Sequence, residues 1–392
     1  MPRIPRRGWL AGSAAALAIP ALSALLSGCG PQRGAHPGGA PTPRGKPYGG
    51  LGFTAIHMVG ASLGWAMGGA ALFRSSDGGR TWSNVSPPSR PSAGTIVAAF
   101  GGASRAWAAM ATPSGVQLFS TADGGAHWSA AVAPGSSNLV PRFLSFLTDS
   151  VHGWLWCAGA TAPGLEPGVL FRTADGGATW TEAVSTGAAS GAARGPGLPA
   201  AGVKSGLAFR DQNHGVMTAT GAQRGTPWVY ATADGGATWA PVTLGLPATE
   251  RSLPVGTQAP AFFDARHGLI PVLTFKAAIP ALTVFVTADG GSTWTASLPV
   301  SSPYAALTTA FVDEGHWFAT DGVGMYATAT GGQGWSSYLC QPPKVLQGVA
   351  QLDFLSPGSG FAFCPPTPGT QGQAGARILA TVDAGQSWQA VG

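Results

Sequence analysis

Four histidines, His152, His214, His267 and His316, each stand three positions after an aspartate, at Asp149, Asp211, Asp264 and Asp313. An imidazole beside a carboxylate could move a proton or hold a divalent metal. A second acidic series, Asp77, Asp123, Asp175, Asp234, Asp289 and Asp383, sits in stretches of the form TADGGATW, as from Thr173 to Trp180 and again from Thr232 to Trp239. From one such box to the next the acidic position advances by 46, 52, 59, 55, 41 and 53 residues, with Thr330 standing for the acid in the sixth copy. Each interval therefore holds one supersecondary unit of about four short strands. Groups that sit in different units around a ring do not converge on one ion, so both series read as turn residues rather than as a metal set or paired catalytic carboxylates.

The local chemistry supports that reading. In each box the aspartate can accept hydrogen bonds from its own turn, and the following glycines tolerate positive φ. The closing tryptophan then opens an outgoing strand and buries a large ring. A second repeat lies upstream, as in Phe146 to Trp154, Phe209 to Val216, Phe262 to Leu269 and Phe311 to Trp317, each an apolar strand, a polar turn and a second strand. One unit is thus strand A, this turn, strand B, a variable loop, strand C, the box and strand D.

The box pattern [ST]-x-D-[GA]-G-x-[TSH]-W resembles the Asp-box, or BNR, repeat of sialidases and of the propellers similar to photosystem II stability and assembly factors. Seven copies lie in residues 51 to 392, and the sixth departs from the pattern at Thr330 and Gly334. The resemblance implies an all-β, seven-bladed β-propeller with one Asp-box turn per blade. So broad a resemblance implies a fold and not an activity. Because the last box ends at Trp388, blade seven is expected to draw its own strand D from Gln386 to Val391, with no strand swapped in from residues 40 to 50.

Residues 1 to 29 read as an address. Arg6 and Arg7 precede an apolar run from Ala14 to Leu26, similar to a twin-arginine export signal, and Leu26-Ser27-Gly28-Cys29 resembles a lipobox. The run is too short for a spanning helix. Cys29 is therefore the expected lipidation site, and the expected location is the outer side of the cytoplasmic membrane. Residues 30 to 50, rich in Gly and Pro, are expected to form a disordered tether that keeps the body about 25 Å from the lipid.

Sixty glycines and thirty-three prolines scattered among short apolar runs, with 9% of residues charged, suit one closed β architecture. Cys157 reads as a buried thiol, whereas Cys340 and Cys364 flank one inter-blade connection and form a candidate disulfide in an oxidising compartment. No spacing typical of zinc ligands occurs. No metal or cofactor is expected.

Strands that alternate in direction put the A-to-B turns and the boxes on one face. The B-to-C loops and the D-to-A crossings fall on the other, which holds the length variation and is where binding is expected. Each crossing delivers its last residues near the axis, which selects Arg142, Lys204, Gln258, Tyr304 and Gln347 as the candidate binding group, with Arg251 beside them. The expected ligand is a protein partner or a glycan, the expected state a monomer, and no nucleic-acid partner is expected. A sialidase-like glycosidase is the alternative. It would need an arginine cluster, a tyrosine nucleophile and a separate acid, and the variable face offers only Glu166, Glu250 and Asp321 with Tyr304 as the best tyrosine. Glu250 beside Arg251 is the candidate acid. A non-catalytic binding or assembly scaffold is the preferred reading.

The faces also differ in charge. The variable face carries Arg90, Arg142, Arg194, Lys204, Arg224, Arg251, Lys276 and Lys344 against those three acids, whereas the box face gathers eleven acids against Arg80, Arg105, Arg210 and Arg266. The basic side is expected to meet anionic headgroups or an acidic partner.

Overall fold

The computed structural model describes residues 46–47, 52–89, 96–186, 197–221, 224–277, 279–302, 307–366 and 376–391. Seven antiparallel sheets follow one another in chain order, and within each blade strands A to D pair in sequence order. Blade three shows the plan: Val140–Phe146, Gly153–Ala158, Gly168–Thr173 and Thr181–Ser185 as strands A to D. Strands A lie innermost and touch those of neighbouring blades, while outer strands such as Ser129–Val132 and Ser336–Leu339 are largely exposed. Among the described residues no helix is long and apolar enough to cross a membrane. The Arg6/Arg7 signal and Cys29 lie outside the described residues.

Aromatic rings join the blades. The second residue of strand B stacks on the last residue of strand A of the following blade: Trp107 on Phe146 at 3.8 Å, Trp154 on Phe209 at 3.6 Å and Phe318 on Phe354 at 3.9 Å. Parallel stacks this close fill the wedge between sheets and add to the area term of burial. The glycine that opens strand B makes room for them. A Cβ on Gly153 would meet the Phe146 ring at 2.6 Å, which explains the Gly in each His-Gly or Ser-Gly of the upstream repeat in steric terms.

The boxes form the turn that their composition implies. At Asp175, Oδ1 accepts from the Thr173 hydroxyl at 2.7 Å and the Thr179 amide at 2.9 Å, and Oδ2 accepts from the Thr179 hydroxyl at 2.6 Å. The Trp180 indole closes the loop onto the Gly177 carbonyl. Burial pulls the Asp175 carboxyl up, but the hydroxyls of Thr179 and Thr173 and the amides of Thr179 and Ala178 outweigh it and hold the group at about 2. In the sixth box Thr330 lacks a carboxylate; the Thr328 hydroxyl still accepts the Thr330 and Gly332 amides and lies 3.2 Å from the Thr330 hydroxyl, but the carboxylate bonds to position 334 are gone.

Blade seven is completed by its own strand, Gln389–Ala390, which follows the last box as expected. One difference appears at the start. Lys46–Pro47, in the segment read as a tether, pairs with the outer edge of Thr81–Asn84 in blade one, with Lys46 opposite Trp82. An edge strand offers free backbone donors and acceptors that an adjacent extended segment can satisfy.

The candidate disulfide is not made. Cys340 and Cys364 are free thiols, both buried in the apolar layer between blades six and seven, where they pack as small hydrophobic side chains. Burial pushes the Cys340 thiol up to about 11 and raises Cys364 and Cys157 as well, so all three are poor nucleophiles at neutral pH.

Candidate functional site

The box face can be accounted for first. In four blades the histidine Nδ1 meets the aspartate three positions earlier: His152 to Asp149 at 2.7 Å, His214 to Asp211 at 3.0 Å, His267 to Asp264 at 2.8 Å and His316 to Asp313 at 2.9 Å. Each aspartate also caps two amides of its own turn, as Asp149 does for Val151 and His152. At one junction Glu314 of blade six comes within 3.4 Å of the His267 imidazole and brings three potential ligand atoms together. The same Asp–His contact closes the sister turns without such a neighbour, so turn bracing explains it and no metal is required.

On the variable face the predicted group separates. Arg142 is exposed, and its Nη2 lies 3.8 Å from Oε2 of Glu166, a carboxylate with no exposed surface. The other Glu166 oxygen accepts the Trp156 indole N–H at 2.9 Å. Glu166 arrives there because its own amide is held by the Ala200 carbonyl at 2.8 Å, which ties the B-to-C loop of blade three to the crossing that leads into blade four. A buried carboxylate beneath an exposed guanidinium fixes where that cation stands.

Lys204 is a correction. It was expected at the mouth but is 1% exposed, and its Nζ donates to the carbonyls of Pro199, Ala201 and Gly202 at 2.9 to 3.1 Å. The ammonium also sits 4.6 Å from the Trp228 ring. Burial lowers its pKa to about 8, partly opposed by the nearby Glu166 charge. The reason is that the two strands bulge at the same place and Lys204 stands one residue before the bulge, whereas Arg142 is the bulged residue. In blade three the register skips Arg142, between Pro141 and Phe143, whereas in blade four it skips Ser205, between Lys204 and Gly206. Lys204 therefore corresponds to Pro141 and turns inward, because a shift of one position reverses the side of a strand.

Gln258 is a second correction. Its Oε1 accepts the Thr309 hydroxyl at 2.7 Å and its carbonyl accepts the Thr218 hydroxyl at 3.0 Å, so it bridges blades four, five and six instead of facing a ligand. Gln347 is exposed in the crossing to blade seven, where its carbonyl accepts from Arg377 at 2.8 Å. The strand-A glutamine of that blade is Gln351, which the sequence reading passed over. Arg251 is exposed and anchored through Nε to the Leu246 carbonyl at 3.1 Å. Tyr304 lies outside the described residues.

The carboxylates proposed for a glycosidase are poorly placed for one. Glu166 and Glu250 are 0% and 7% exposed, in blade three and in the crossing from blade four to blade five. Burial raises the Glu250 pKa, with the hydroxyls of Thr274 and Thr283 acting in the opposite direction. Asp321 accepts the Ser302 and Tyr326 hydroxyls and two amides, and although burial alone would raise it, those bonds hold it below the usual range. A glycosidase pair needs two carboxyls facing one bond across an open cleft. These three are each committed to their own surroundings.

What the face does present is a small patch. Leu165, next in sequence to Glu166, bridges to Gly202 across the two loops, which brings the exposed Leu165 and Val203 to one junction, with the exposed Val140 and Arg142 on strand A of blade three. One fixed cation among exposed aliphatic side chains is a surface suited to an extended, partly apolar chain.

No protein-family model and no curated protein matches the chain. Solved structures do. YCF48 bound to D1 peptide is 19% identical with a TM-score of 0.52, covering 85% of this chain and 93% of that one. YCF48 from Cyanidioschyzon merolae is 18% identical with a TM-score of 0.52, covering 82% and 94%. The Trypanosoma rangeli sialidase in complex with the inhibitor DANA is 12% identical with a TM-score of 0.41, covering 68% and 49%. Identity at this level speaks for fold alone. The chain is a seven-bladed β-propeller with Asp-box turns, and its fold resembles that of YCF48.

Proposed function

We propose that this chain is an exported propeller, anchored through lipid at Cys29 outside the cytoplasmic membrane, that acts without catalysis as a binding or assembly scaffold and takes a protein segment on its variable-loop face. The observation that carries the reading is Arg142, exposed above the wholly buried Glu166 and set beside Val140, Leu165 and Val203. A cation that is pre-positioned in this way costs little conformational entropy when a partner arrives. The burial of Glu166 and Glu250 removes the acids that a glycosidase would need on the same face. That the similar YCF48 was solved with a D1 peptide supports a peptide or protein as the class of partner.

The test is capture of partners from detergent-treated membranes by the intact lipoprotein, with and without Arg142→Ala. Loss of a discrete captured protein, with unchanged melting of the variant, is the expected result. Unchanged capture rejects the site. Turnover of fluorogenic glycosides that disappears in Glu250→Gln would replace the scaffold reading by the glycosidase. Cys29→Ser is expected to move the protein from the membrane fraction to the soluble one.

A further inference from the structure

The blade-five hairpin is the longest in the described ring. Its strands B and C, Gly268–Lys276 and Ile279–Thr287, run nine residues each, against four to seven for the same strands of the other blades. Both are in step with their neighbours at the box face, where Gly268 follows the A-to-B turn and Thr287 opens the box. The surplus therefore stands on the variable face, and at about 3.4 Å per residue it carries the strand ladder roughly 7 Å or more past the ladder ends of the other blades.

The residues at that end share a character. The last pair of the ladder is Lys276 with Ile279, both exposed, the isoleucine at 46%. Two further cations stand at its base because three loops are stitched together there. The Gly225 amide bonds the Leu253 carbonyl at 2.9 Å, and the Phe275 amide bonds the Pro254 carbonyl at 3.1 Å. A Cβ on Gly225 would fall 1.6 Å from the Arg251 carbonyl, so the blade-four loop and the crossing are in direct contact. Arg224 and Arg251, both exposed, are thereby held against the hairpin. The one acid of this crossing, Glu250, is folded inward: its amide bonds the Pro247 carbonyl, the Leu253 amide bonds its own carbonyl, and its side chain is buried beside Thr274 and Thr283.

We propose that this hairpin is a membrane-docking element, which sets Lys276, Arg251 and Arg224 against anionic lipid headgroups and places Ile279 at the level of the first acyl carbons. The occupant follows from the surface. Three cations near an exposed branched aliphatic residue, with Glu250 folded inward and Asp321, which reaches the hairpin through Ser302 and Pro280, half-buried among its own donors, match the layered order of an anionic membrane, charge outside and hydrocarbon within. The opposite face, rich in box aspartates, would be repelled by the same headgroups. The proposal goes beyond partner binding at Arg142 and does not depend on it, and a vesicle test contains no protein partner.

The experiment is co-sedimentation of the full chain carrying Cys29→Ser with vesicles of phosphatidylcholine alone and vesicles enriched in phosphatidylglycerol, read as the gain in binding over the neutral vesicles. A gain that falls as salt is raised from low to physiological is expected. Arg251→Glu with Lys276→Glu should reduce it about tenfold or more, Ile279→Ser should reduce it further, and Arg105→Glu, a charge reversal on the box face, should leave it in place. Lys276→Gln with Arg251→Gln serves as the milder pair if the reversal disturbs folding. No gain with phosphatidylglycerol, a gain indifferent to salt, or an equal loss in Arg105→Glu overturns the proposal. Arg142→Ala should retain the gain, which separates failure of docking from failure of the partner site.

Discussion

Asp353 of blade seven accepts the backbone amide of Met58 of blade one at 2.6 Å, across 295 positions of chain. Two residues before it, Gln351 bonds both the amide and the carbonyl of Ile56 with its side-chain amide. These contacts lie at the seam where the last blade meets the first, and among the described residues no strand crosses it. Innermost strands expose backbone groups toward the axis, and side chains from strand A of blade seven satisfy them on strand A of blade one. Apolar packing of Phe53, Ile56 and Trp82 against Phe363 and Ile378 completes the junction.

The seam titrates. Asp353 is fully buried, and burial raises its carboxyl to about 7 even though the Met58 amide acts against the rise; burial alone lowers the adjacent His57, 3.9 Å away, to about 4. An acid raised in the folded state contributes stability below its unfolded value near 3.8 and loses it as pH rises through about 7. A histidine lowered in the folded state contributes above 6.5 and loses it as pH falls through about 4. In the native chain the two trends oppose each other over the shared range. Asp353→Asn should therefore leave a melting temperature that rises from pH 4 to 6.5, and His57→Phe one that falls from pH 4 to 7. Parallel profiles for the two variants in a thermal scan would refute the seam titration.

The sixth box is the weak one. Restoring it with Thr330→Asp and Gly334→Thr supplies the carboxylate and hydroxyl that Asp175 and Thr179 use in blade three. The gain should be about 1 to 2 kcal/mol, measured by chemical denaturation. Asp175→Ala should cost a similar amount, and no gain in the repaired box would mean that its turn has already closed by other means.

Lys204 and Arg142 should behave oppositely. Lys204→Met leaves three carbonyls without their donor and should lower stability by roughly 2 kcal/mol or more, with partner capture by the folded fraction intact. Arg142→Ala should leave melting nearly unchanged and abolish capture. Equal melting of the two variants would contradict the inward placement of Lys204.

Gly206 marks a close approach of the innermost strands of blades four and five. A Cβ there would lie 2.3 Å from the Ala259 backbone, so Gly206→Ala forces two innermost strands apart and should cost about 2 kcal/mol or more. A neutral effect in a denaturant titration would show that the blades can shift to accommodate it.

Much of the architecture was legible in the chain because it is local and repeated. Asp175 with Thr173, Thr179 and Trp180 closes its turn within eight residues, and His152 with Asp149 within four, so the residue types alone specify those bonds and their spacing counts the blades. The candidate site was not local. Whether a residue at the start of strand A faces the axis or the interior depends on a bulge one position long, which put Arg142 outside and Lys204 inside although both follow a crossing. Gln258 and Gln351 were claimed by neighbouring blades, and Cys340 and Cys364 by an apolar layer, through contacts that exist only once the ring has closed. The sequence by itself determined the number and plan of the blades, since each turn is bonded within its own segment. Which side chains were left free at the mouth was decided by packing between segments tens to hundreds of residues apart, where register and burial follow from the assembled ring.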